Sequence, residues 1–308
     1  MMICKSLGFK FCLLATTLFL ASSVAAKTVE SAKHETWQTS VDNSWAEEDR
    51  EFKNNPTSPL AGTFRFEITN TDIAYFAEQD GELGWSPEQG DQSKFSLALV
   101  EGKWKWTGLS ADVSCMRGSE STFSGAFLLA GDVLKTGRFS VAVYPGEDQI
   151  TALVFDANSQ RLEDFMTLDR FEANAKFVVT AKIIKFEIPE PVERITARQR
   201  FKTQYKYAIL KFEIDGVELE LTAYKYALEG EHSDSLFIPF TDKTTGKYSY
   251  GGGRYLSLTE PEEGATILID FNLVTNPLCA YAPVYNCIVP TRENKLPIAI
   301  LAGVKKYH

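Results

Sequence analysis

Histidine is nearly missing from this chain, with three in 308 residues: His34, His232 and His308. A metal centre built on several imidazoles is therefore excluded, and so is a two-histidine, one-carboxylate site. A serine triad would have to use His232, which sits in the polar run Glu229 to Ser235 with no Gly-x-Ser-x-Gly elbow. Basic residues are also in deficit. The formal charge of −9 becomes −11 if Lys5 and Lys10 leave with a leader. So acidic a chain has no footprint for nucleic acid, which needs a basic face. Its densest basic run, Arg194, Arg198, Arg200 and Lys202, reads as the solvated face of a strand. No apolar run reaches the roughly twenty residues of a membrane-spanning helix. Neither a cofactor motif nor a metal-ligand spacing is present, because Gly251-Gly252-Gly253 lacks the spacing and following helix of a dinucleotide fingerprint.

What is present begins with residues 1–26. Lys5 and Lys10 flank the start of the apolar run Phe11 to Leu20, and the small residues Ala21 to Ala26 follow. This is the pattern of a secretory signal peptide, so the mature protein is expected in the periplasm or outside the cell. Residues 27–43 read as a disordered or extended tail. Ser44 and Glu47 fit a capping box for a short helix from about Trp45 to Lys53, stopped at Asn54-Asn55-Pro56.

From Thr63 the hydrophobic period is two. Phe64, Phe66 and Ile68 alternate with polar residues, as do Phe95, Leu97 and Leu99, then Phe139, Val141 and Val143. Asp215-Gly216, between Ala208–Ile214 and Val217–Ala223, carries the residues of a type I′ hairpin. The expected fold is all-β and mainly antiparallel, a sandwich or barrel, with two β subdomains over 44–160 and 161–308. The polar stretch Asp156 to Arg161 is the boundary between them.

Three cysteines lie beyond the leader. Cys115 reads as a buried free thiol. Cys279 and Cys287, with seven residues between them in a proline-bent segment, read as a disulfide, with a metal pair as the alternative.

Between Leu236 and Gly303 polar groups crowd among short apolar strands. Asp242 to Gly246 has the residues of a turn. Gly251-Gly252-Gly253 reads either as a bulge that re-aims Arg254 or as a bulge that also admits an anion to backbone amides and the guanidinium. Alternation would put Asp270 and Asn272 on one face, where Asp270 either pairs with Arg254 or opens on a cleft.

The order Phe237, Phe240, Asp242, Thr244, Gly246, Tyr250, Gly253, Arg254, then Asp270, Asn272, Asn276 and Cys279, then Cys287 and Asn294, resembles the bacterial family catalogued as domain of unknown function 1684. Ser249, Leu278, Ile288-Val289 and Val304 depart from its pattern. The resemblance implies a site on these residues and no established activity. Three readings stand. One is an exported protein binding a small polar or anionic ligand through Arg254, Tyr250, Asp242, Asp270, Asn272 and Asn276. The second is a hydrolase using Asp242, Asp270 and Glu293, and the third a noncatalytic envelope interaction module with an exposed patch of Tyr255, Tyr281 and Tyr285. The oligomeric state is not legible.

Overall fold

The computed structural model describes residues 15–69, 71–262 and 264–307, with side chains from residue 35. Residues 1–14 of the expected leader lie outside the described residues. The chain divides into two compact units, Met1–Trp45 and Ala46–His308. Helix α1 spans Ala15–Asn54, which corrects two expectations. Residues 27–43 are helical rather than disordered or extended, because no glycine or proline interrupts Ala15–Asn54 and propagation costs little once a helix exists. Ser44 is accordingly not a cap; its hydroxyl donates back to the Ser40 carbonyl at 3.0 Å. The helix ends where Pro56 bars the α conformation at Asn55. Among the described residues no helix is long and apolar enough to cross a membrane.

The strands belong to the second unit and pair antiparallel throughout. Numbered in chain order, a six-stranded sheet runs β1 (Gly62–Ile68), β10 (Ile150–Asp156), β9 (Phe139–Pro145), β8 (Asp132–Thr136), β6 (Ser114–Arg117), β7 (Glu120–Thr122). A four-stranded sheet runs β3 (Glu82–Ser86), β2 (Ile73–Gln79), β4 (Ser93–Val100), β5 (Lys103–Gly108). The third, six-stranded, runs β15 (Arg254–Thr259), β14 (Ser235–Phe240), β13 (Val217–Lys225), β12 (Phe201–Ile214), β11 (Val178–Ile195), β16 (Thr266–Asp270). After β16 the chain returns to β15, where Tyr255 and Thr275 exchange backbone hydrogen bonds of 2.9 and 3.0 Å. The fold is thus mostly antiparallel β, with one nearly closed, barrel-like sheet.

The period-two faces become the cores. Phe76 and Phe95 stack at 4.6 Å inside the N-terminal sheets. Ala208, Leu210, Phe212 and Ile214 line the interior of the third sheet with Phe240 and Phe271. A fully buried phenylalanine contributes about 2–3 kcal/mol of transfer free energy. Asp215 and Gly216 both adopt positive φ, 54° and 74°, as the type I′ turn between Ile214 and Val217 requires. A smaller cluster matters more for the site: Ala282 and Val284 pack on Ala142, Leu153 and Phe155. This apolar seam brings the loop after β16 against β9 and β10 of the first sheet.

Candidate functional site

The residues expected to form one cleft are distributed over three places. Arg254 and Asp242 meet in the core. Gly253, at φ 85°, passes so close to β14 that a Cβ there would stand 2.6 Å from the Phe240 carbonyl oxygen. This turns Arg254 inward, over the ring of Phe240. Its guanidinium donates to Asp242 Oδ2 at 3.3 Å and to the carbonyls of Ile300, at 2.9 Å, and Ala302, at 2.5 Å. Asp242 also accepts from the hydroxyls of Thr244 and Thr245 at 2.7 and 3.0 Å and from the Ile300 amide at 2.7 Å. Burial pulls the Arg254 pKa down and Asp242 pulls it up, leaving it near about 10 and the group charged at neutral pH. The expected Arg254–Asp270 pair is corrected to Arg254–Asp242, a sealed structural ion pair.

Asp270 and Asn272 do not share an outward face. The strand stops at Asp270, whose carboxylate caps the following 3-10 turn, Phe271–Leu273, by accepting from the Asn272 amide at 2.8 Å. Asn272 is fully buried and clamps residue 174 through Oδ1 at 2.9 Å and Nδ2 at 3.1 Å. Glu293 accepts from Lys206 at 3.0 Å and from the Tyr224 hydroxyl at 2.5 Å. Burial opposes ionisation of Glu293, yet these donors outweigh it and hold its pKa below the usual carboxylate range. Of the three carboxylates of the hydrolase reading, Asp242 is thus paired in the core, Asp270 caps a turn and Glu293 is bound by Lys206 and Tyr224. His232 is an exposed turn residue whose imidazole stands 3.6 Å from the Glu231 carboxylate. Arg194 is not on a solvated face: it is buried over the Tyr224 ring at 4.1 Å and donates to the Val289 carbonyl.

Asn276 lines an open site, whereas Tyr250 lies against Cys279. Beside the seam is a hollow of about 590 Å³ lined by residues of the first sheet, including Arg65 and Tyr144, and by Lys202, Tyr226, Tyr255 and Tyr285 of the C-terminal region. Asn276 and Cys287 also reach it. Tyr255 is fixed by its hydroxyl, which donates to the Ile288 carbonyl at 2.5 Å, and by an edge contact on Phe237 at 4.7 Å. Desolvation pushes the Tyr226 hydroxyl up to about 12 and those of Tyr144 and Tyr285 upward as well, so all three are neutral donors at pH 7. Tyr281, expected with Tyr255 and Tyr285 in an exposed patch, is instead 4% exposed and packs on Phe52. Arg65 and Tyr144 carry no signal in the sequence, and Lys202 reads there only as part of a solvated strand face; the seam makes all three neighbours of the tyrosines.

Cys279 and Cys287 are adjacent free thiols, the Cys279 amide donating to Cys287 Sγ at 3.2 Å, with the Tyr250 hydroxyl 3.9 Å from Cys279 Sγ. The Cys287 thiol, donating to Cys279, draws Cys279 down to about 7 and is itself pushed up. Cys115 is a buried free thiol. Among the described residues no group of three or more His, Cys, Asp or Glu is arranged to hold a metal ion.

A comparison with curated proteins finds no match. Among solved structures the chain is similar to an uncharacterized protein of Haloarcula marismortui, determined by solution NMR, at 36% identity over 47% of this chain and 80% of that one, with a TM-score of 0.40. The family model described as protein of unknown function (DUF1684) matches residues 163–305. That range contains the sealed Arg254–Asp242 pair, the capped turn at Asp270 and the cysteine pair, and on it the chain belongs to the DUF1684 family.

Proposed function

We propose that this protein binds a small anionic ligand in the tyrosine-lined hollow. One observation carries the reading. Among the described residues the hydroxyls of Tyr144, Tyr226 and Tyr285 and the ammonium of Lys202 have no hydrogen-bond partner, and Arg65 makes a single side-chain bond, an ion pair from Nε to Glu67 at 3.2 Å. Neutral phenols and two cations around one opening form a donor-rich cradle, and charge-assisted hydrogen bonds to an anion are the strong ones. A volume of about 590 Å³ suits a small molecule rather than a single ion. The site thus moves from the Arg254 cluster to the seam, retaining Asn276 of the residues first considered.

The leader pattern at residues 1–26 supports an exported protein, and in an oxidising compartment the neighbouring Cys279 and Cys287 would close as a disulfide beside this hollow. The test is calorimetric titration with inorganic phosphate and with citrate. Saturable binding that weakens at least tenfold in the Arg65→Gln, Lys202→Gln double variant is the expected result. A folded wild-type protein that takes up neither anion at millimolar concentration would sink the proposal.

A further inference from the structure

A second hollow, of about 630 Å³, lies between the segment 160–169 and residues 304–307. Its wall contains two polar side chains that are almost wholly buried, Asn276 at 3% and Tyr281 at 4% exposure. The Asn276 amide nitrogen is used, donating to the Lys305 carbonyl at 2.8 Å. Among the described residues neither its Oδ1 nor the Tyr281 hydroxyl has a partner within hydrogen-bond distance, although the two side chains are near each other. Buried polar atoms are satisfied in nearly all folded proteins, so two orphans on one hollow call for a missing group.

The Tyr281 hydroxyl is kept on this wall by its ring. The Tyr281 ring is held edge-on by Phe52 at 4.7 Å and Tyr307 at 5.0 Å. The Asn276 side chain stands close enough to the Tyr281 hydroxyl to favour its ionised form against the burial that raises its pKa. Around the two lie the apolar side chains of Phe165, Leu168 and Val304.

Most charged groups around this hollow have hydrogen-bond partners, while Lys306, which also lines it, is exposed. Lys305 bonds Asp169 at 3.0 Å, Arg161 donates to the carbonyls of Leu60 and Gly62, and Gln160 donates to Asp164 at 2.9 Å. The two almost wholly buried polar groups of the hollow's wall, an amide and a phenol, are both uncharged, so an ion would gain no charge pairing from them. The chemistry left unmet is one acceptor, Asn276 Oδ1, beside one group that both donates and accepts, the Tyr281 hydroxyl. A single hydroxyl satisfies both, donating to the amide oxygen and accepting from the phenol. One water would do the same, but a water occupies about 30 Å³, a small part of the space.

We propose that this hollow is a second binding site, taking a neutral polyhydroxylated ligand of the sugar or cyclitol class, one hydroxyl of which bridges Asn276 Oδ1 and the Tyr281 hydroxyl. The proposal does not rest on the anion reading, although Asn276 lines both hollows. The ligand's remaining carbon face would lie against Phe165 and Leu168, the apolar part that such sites pair with a few polar anchors.

The experiment titrates the full chain with methyl β-glucopyranoside and with myo-inositol, following melting temperature and tyrosine-ring NMR signals, in wild type, Tyr281→Phe and the Arg65→Gln, Lys202→Gln variant. Wild type is expected to respond saturably to at least one probe. Tyr281→Phe keeps the ring and removes only an unpartnered hydroxyl, so it is expected to melt at or above the wild-type temperature and to bind the probe at least tenfold more weakly. The double variant at the anion hollow is expected to keep the full response. The proposal is overturned if neither probe binds wild type at tens of millimolar, if Tyr281→Phe responds like wild type, or if the double variant loses the response. A Tyr281→Phe protein melting several degrees below wild type also overturns it, because the hydroxyl would then be satisfied already within the fold.

Discussion

The Arg254 guanidinium and the Asp242 carboxylate face each other at 3.3 Å with side-chain exposures of 1% and 0%. Removing one partner strands the other charge in the core. Arg254→Met and Asp242→Asn should each cost about 3–5 kcal/mol. Urea unfolding checks this: a lowered midpoint at constant slope is expected, while wild-type stability in Arg254→Met would refute the structural role.

Glu260 gives the clearest pH dependence. Burial disfavours its charge, but Lys185, Lys225 and Tyr207 outweigh that and hold its pKa at about 2, against 4.5 ordinarily. A carboxylate depressed by folding stabilises the protein above its unfolded pKa, and that contribution fades as pH falls from 4.5 towards 2. After allowance for solvent screening the loss should be about 1–2 kcal/mol. Glu260→Gln should flatten this part of the acid-stability curve; an unchanged curve would count against the assignment.

Asn294 is fully buried and copies a strand edge. Its Oδ1 accepts from the Thr222 amide at 2.8 Å, and its Nδ2 donates to the carbonyls of Thr222 and Pro239, both at 2.9 Å. Those two carbonyls belong to β13 and β14, which pair directly only at Tyr224 and Phe237. Asn294→Ala should therefore cost about 2–4 kcal/mol by leaving buried groups unpaired. Protection of the Thr222 amide against hydrogen exchange should fall with it.

The cysteine pair is tested by counting thiols. In protein recovered from an oxidising compartment, denaturation without reductant should expose one reactive thiol, Cys115. Three thiols would exclude the bond. Cys279→Ser should lower stability by about 2 kcal/mol and abolish sensitivity to reductant.

Much of the β fold was legible because alternation survives burial: Ala208 to Ile214 and Val217 to Ala223 lie as their period implies, and Asp215-Gly216 turns as its residues require. Arg254 and Asp270 were harder. Spacing along the chain cannot tell that Gly253 swings the arginine inward to Asp242, or that the strand yields to a 3-10 turn at Phe271. Arg65, Tyr144 and Lys202 come together through Ala282 and Val284 packing on the first sheet, a tertiary event with no local signal. Residues 27–43 are helical despite their polarity, because the stretch carries no breaker.

The anion hollow should be selective for charge as well as size. Tyr144→Phe removes one neutral donor and should weaken phosphate binding about three- to tenfold, in keeping with about 0.5–1.5 kcal/mol for one hydrogen bond. Raising the salt concentration should weaken binding through Lys202, which is exposed, and spare the phenol contacts. Salt-independent binding would argue against a cationic cradle.

Arg254 finds two of its acceptors on Ile300 and Ala302, which a ribosome makes some fifty residues after the arginine itself. Until those carbonyls emerge, the guanidinium can enter the barrel interior with its charge paired to Asp242 but two of its hydrogen bonds unmade. The third sheet is therefore unable to finish folding vectorially; its closure waits on residues still inside the exit tunnel, and a nascent chain halted before Ile300 should remain open to chaperones and proteases.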